Sequence, residues 1–85
     1  MSEASQEIHP ATKEFSEHEI SLDPILQFFH YSHLPDALQE RSRPFCELAR
    51  VIIDTTDRNP ERSVALRKLL EAKDACVRAA VAGRN

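Results

Sequence analysis

Glycine is nearly missing from this chain: one in 85 residues, with no tryptophan, one tyrosine and two cysteines. A β-sandwich or barrel reverses direction repeatedly, so a chain with one glycine and few aromatics does not belong to that class. No apolar run approaches the ~18 residues of a membrane span. The opening residues 1–7 are polar and acidic, without a signal-peptide pattern. A soluble, intracellular protein with no membrane partner is expected. Cys46 and Cys76 lie in helix-forming stretches and read as reduced, buried thiols, not as a disulfide staple. His30 and His33 stand three apart, and no Cys-x-x-Cys or His-x-x-x-His pair exists to seed structural zinc. Nothing fixes Cys46 beside a histidine as a thiol nucleophile, and no glycine-rich turn could build an oxyanion hole or a phosphate loop. The expectation is therefore no metal, no cofactor and no enzymatic activity.

What the chain has is helix former. Asn59 is a good N-cap, Pro60 takes the first helical position, and neither glycine nor proline recurs until Gly83. Leu66, Leu69, Leu70, Ala72, Cys76, Val77 and Ala80 supply a buried stripe along that helix. Upstream, Pro35 opens another helix with Asp36 in its first turn. Ala37, Leu38, Phe45, Leu48, Ala49, Ile52 and Ile53 recur there at amphipathic spacing. Pro44 falls inside the pattern and predicts a kink, or a break near Ser42 with a restart at Pro44. The short link at 56–58 predicts antiparallel neighbours.

Nearer the N-terminus, Asp23 as cap and Pro24 as first residue predict a short helix through Phe29. Residues 1–20 carry isolated Ile8, Phe15 and Ile20 without a sustained period and predict a mobile arm. Residues 21–85 then form one domain. The expected fold is all-α: a short N-terminal helix packed on a two-helix antiparallel hairpin. The apolar stripes are broad for so small a chain, which predicts a compact homo-oligomer.

Charge is uneven. Residues 1–35 hold six acids and one base, Lys13, whereas residues 36–85 hold ten bases, eight of them arginine, against eight acids. A net charge of −3 excludes a protein that coats DNA, and no helix-turn-helix pattern is present. Arginine does allow local anion pockets, because its fork matches phosphate and carboxylate oxygens. Tyr31, flanked by His30 and His33 in the connector, is either a half-buried ring closing the hairpin or a platform for a nucleobase. Arg41 and Arg43, about one turn beyond it, are either solvated helix charges or a phosphate clamp. Arg62 and Ser63, in the first turn of the last helix, are either ordinary capping residues or donors to an anion.

Phe29-x-Tyr31-x-His33-Leu34-Pro35, Leu38-Gln39, Phe45-Cys46-Glu47-Leu48-Ala49, the run Asn59 to Leu66 and the run Glu71 to Ala75 together carry a resemblance. The chain looks like the small phage proteins of the second anti-CBASS type, cyclic-oligonucleotide sponges, over about residues 22–82. The resemblance implies a hexamer, in the cytoplasm of an infected bacterial host, that sequesters cyclic di- and trinucleotide messengers such as cyclic GMP-AMP and cyclic tri-adenylate. It places the dinucleotide on Tyr31 and His33 with the clamp on Arg41 or Arg43, and the trinucleotide on Arg62 and Ser63. Ser32 separates Tyr31 from His33 where the family has a Tyr-His pair. The alternative from a different class is an oligomeric helical hairpin that acts as a protein-interaction or structural module.

Overall fold

The computed structural model describes residues 14–83. Among them the chain forms helices and turns only: α1 (Glu17–Leu22), a 3₁₀ helix (Pro24–Phe29), α2 (Asp36–Thr55) and α3 (Pro60–Ala82). The fold is all-helical and compact. The largest contact is between α2 and α3, and the 3₁₀ helix packs on α1, α2 and α3 in turn.

The start of α3 follows from its local chemistry. The Asn59 side chain accepts the Arg62 N–H at 2.9 Å, and Pro60 gives up no hydrogen bond in the first turn. At the other end, Gly83 stands in a right-handed conformation, and its N–H bonds the Ala79 carbonyl at 2.9 Å. A left-handed glycine is not what stops this helix. α2 runs through Pro44 as one helix, so the alternative of a break near Ser42 does not occur.

The core consists of Phe15, Leu26, Phe29, Cys46, Ala49 and Leu66, with Ile52, Ile53, Leu69 and Leu70 packed around it. Burying each of its large side chains contributes about 1.5–3 kcal/mol. Two residues of the expected α2 stripe, Ala37 and Leu48, instead face outward, and Ala72 of the α3 stripe does the same. Ser42 and Cys46 are the α2 side chains buried instead, together with Ala49. Cys46 and Cys76 are free thiols, the first buried and the second half-buried.

The expected mobile arm at 1–20 is corrected over its described part. Residues 1–13 lie outside the described residues. From Glu14 onward the chain is docked, and Phe15 is 1% exposed at the centre of the core. Ser16 and Glu19 cap α1 reciprocally: the Glu19 N–H donates to the Ser16 hydroxyl at 3.0 Å, and the Ser16 N–H donates to the Glu19 carboxylate at 2.9 Å. Three arginines then hold this segment from the helical half. Arg50 donates to the Glu19 carboxylate and to the Glu14 carbonyl, Arg58 donates to the Leu22 carbonyl, and Arg62 donates to Asp23. Arg50 also stacks over the Phe15 ring, with its guanidinium carbon 4.9 Å from the centroid.

Candidate ligand site

The connector between the 3₁₀ helix and α2 is a closed turn. The Leu34 N–H donates to the Tyr31 carbonyl at 2.9 Å. The Gln39 amide reaches back from the second turn of α2 and donates to the carbonyls of Ser32, at 3.3 Å, and Leu34, at 2.7 Å. On the donor side, the Glu14 carboxylate accepts the Tyr31 N–H at 3.1 Å and the Ser32 hydroxyl. The Phe15 ring stacks on His30 with centroids 6.1 Å apart. Tyr31 is therefore presented by a turn held by Glu14 on one side and by Gln39 of α2 on the other.

Among the sequence candidates, the structure brings Tyr31 and Arg43 together: the guanidinium carbon lies 5.5 Å from the ring centroid. That distance is within cation–π range, and Arg43 remains exposed. Arg41 pairs instead with its neighbour Glu40 at 3.7 Å, on an exposed stretch of α2. His33 lies on a different cleft, of about 500 Å³, between the connector and the middle of α3. Gln27, Phe28, His30, Lys73 and Asp74 line the same cleft. Phe28 is 56% exposed, whereas the Lys73 side chain is 13% exposed and pairs with Asp74 at 3.1 Å. An aromatic face, an amide, imidazoles and an ammonium group converge there from three elements. These are the groups that hold a planar base and an anionic substituent.

The start of α3 differs from its sequence reading. The Arg62 side chain is 6% exposed, and both of its terminal nitrogens are engaged inside the protomer. One donates to the Asp23 carboxylate at 2.5 Å and the other to the Thr56 carbonyl at 2.7 Å. Arg62 is thus a staple between α3 and the N-terminal segment. Asp23 accordingly makes no side-chain capping bond to the 3₁₀ helix. Ser63 remains exposed, beside a cleft of about 320 Å³ that Arg58 and Arg67 also line.

Cys46 faces the core, and burial pushes its thiol up to about 11, so it is protonated at neutral pH. Among the described residues, no three His, Cys, Asp or Glu side chains group as metal ligands. No helix among them is long and apolar enough to cross a membrane.

Gln27, Phe28, Lys73 and Glu14 were not singled out from the sequence. Lys73 carried a legible signal, because it stands three, four and seven residues beyond Leu70, Leu69 and Leu66 on the buried stripe. A lysine on such a stripe either snorkels or lines a cleft. Phe28 was legible in part: a six-residue 3₁₀ helix with four large apolar side chains cannot turn all of them inward. Comparison with family models, curated proteins and solved structures finds no match to this chain.

Proposed function

We propose that this protein is a non-catalytic sponge for cyclic oligonucleotides, acting in phage-infected bacteria against CBASS signalling. The observation that carries the reading is the stack of Arg43 on Tyr31, a cation and an aromatic ring 5.5 Å apart. Tyr31 with Arg43, and the cleft of Phe28, His33 and Lys73, where Asp74 pairs with the lysine, offer two aromatic faces and two cations. A cyclic dinucleotide has two bases and two phosphates, so its needs match that set. Base stacking on such rings contributes about 1–3 kcal/mol per base. Sequestration works by mass action: messenger held by the sponge is withheld from its effector, and no bond is made or broken. A trinucleotide pocket at the start of α3 rests on Ser63 with Arg67, since Arg62 is committed to Asp23 and Arg58 to the Leu22 carbonyl.

In this reading the protomer is a short N-terminal unit on an antiparallel hairpin, and protomers assemble as a hexamer. Leu22, Phe28, Leu48, Val51 and Val81 remain 44–56% exposed, and that surface supports assembly. The same surface favours the second reading, a protein-interaction or structural module without a small ligand, through Leu48 and Val51 on the outer side of α2.

Calorimetry with cyclic GMP-AMP and cyclic tri-adenylate separates the two. Heat is expected with the dinucleotide, and Tyr31→Ala and Lys73→Met each weaken it tenfold or more. Absence of heat with both ligands and with a panel of related cyclic nucleotides would sink the sponge.

A further inference from the structure

The turn that carries Tyr31 holds two adjacent hydrogen-bond donors, the Tyr31 N–H and the Ser32 hydroxyl. Both are filled by one group, the Glu14 carboxylate, with Oε1 on the amide at 3.1 Å and Oε2 on the hydroxyl. One oxygen per donor is how paired donors hold an oxyanion, whether carboxylate or phosphate. The turn itself does not need Glu14. It closes through the Leu34 N–H on the Tyr31 carbonyl and is tied to α2 by Gln39. Nor does the main chain at Glu14 depend on this contact, since its carbonyl is held separately by Arg50 at 3.1 Å. Rotating one side chain therefore empties the seat while the turn and the docked segment stay in place.

We propose that the Tyr31 N–H and the Ser32 hydroxyl form a preformed anion seat for a ligand phosphate, and that Glu14 is an internal occupant which the phosphate displaces. The exchange is close to neutral in charge, because one oxyanion leaves for water as another enters. Arg43, stacked on the same tyrosine, brings positive charge to this corner of the molecule. Self-occupation lowers affinity in proportion to the fraction of time the seat is open: a seat filled nine-tenths of the time binds about tenfold more weakly than an empty one. The identity of the phosphate bearer rests on the sponge reading. The seat itself does not.

The test is an amide-resolved NMR titration of the full chain with inorganic phosphate, on wild type, Glu14→Gln and Glu14→Ala. Saturable shifts at Tyr31 and Ser32 are expected in all three, with affinity rising from wild type through Gln to Ala, at least tenfold overall. The Gln variant keeps the side-chain shape. Should the Ala variant fail to fold, a gain of threefold or more in Glu14→Gln supports the seat, and no gain overturns it. Equal affinity across the series, or saturation that leaves the Tyr31 and Ser32 amides unmoved, also overturns it. Calorimetry with cyclic GMP-AMP separates the two proposals. Dinucleotide heat with no phosphate gain in the Glu14 variants removes the seat and leaves the sponge, whereas a phosphate gain without dinucleotide heat keeps the seat and removes the sponge.

Discussion

Arg50, Arg58 and Arg62 reach across 31, 36 and 39 residues to hold the N-terminal segment. Arg62 with Asp23 is the most enclosed of these contacts, with side chains 6% and 14% exposed. Breaking one half of it strands the other charge, so Asp23→Ala should cost about 2–3 kcal/mol in a urea denaturation. The Arg50–Glu19 contact instead sets a pH dependence. Hydrogen bonds from Arg50 and then from the Ser16 N–H hold the Glu19 carboxyl down to about 2, from its ordinary 4.5. A carboxyl lowered in the folded state stabilises above its unfolded value, and that contribution is lost as pH falls towards the folded value. Stability measured by denaturant midpoint should therefore drop between pH 4.5 and 2, and Glu19→Gln should flatten that part of the drop. Ser42 runs the other way. It is 1% exposed with no partner for its hydroxyl among the described residues, so Ser42→Ala should raise stability by about 1 kcal/mol in the same assay.

At the scale of elements, α3 was legible from end to end because its signals are local: Asn59 and Pro60 at the start, and unbroken helix former up to Gly83. Asn59→Ala should cost about 1 kcal/mol of stability. α2 was legible in extent but not in rotation. Ser42 sits in its buried arc and reads as polar surface, while Ala37 and Leu48 read as core and lie outside. Hydrophobic period finds a stripe, but which arc meets α3 depends on packing between helices. Pro44 lacks the N–H that would bond the Glu40 carbonyl, and it sits on the exposed side. Pro44→Ala should restore that bond and raise the melting temperature. The least legible element was α1, although its Ser16-x-x-Glu19 capping box stands in the sequence ahead of Ile20. One docked helical turn with a single buried phenylalanine has too few periodic positions to be told from an arm.

For the whole molecule, the uneven charge along the chain has an internal explanation. The acids of the first third and the arginines of the rest meet within one protomer, through Glu19, Asp23, Arg50, Arg58 and Arg62. From sequence, the arginines looked available for ligand. Three of the eight are spent on docking the chain to itself. Tyr31 and Arg43 were nominated by residue type, and their stacking needed the fold. The cleft at Lys73 needed it still more, because Gln27, His33 and Lys73 come from three separate elements. Sedimentation at low micromolar concentration should show a homo-oligomer, and Leu48→Glu should shift it towards a smaller species. A stable wild-type monomer would contradict assembly through the exposed apolar surface.

The arginine staples also set an order of events during synthesis. The segment from Glu14 to Asp23 leaves the ribosome before its anchors, which lie at Arg50, Arg58 and Arg62, and its core neighbour Leu66 comes later still. Phe15 therefore waits with its ring in water until most of the chain has been translated. Contacts closed over so long a separation form late, once the local helices have already made their turns. Truncated nascent chains ending before Arg62 should leave this segment open to protease, and chains extended beyond Leu70 should protect it. Residues 14–23, made before their anchors, are thus among the last to find their place.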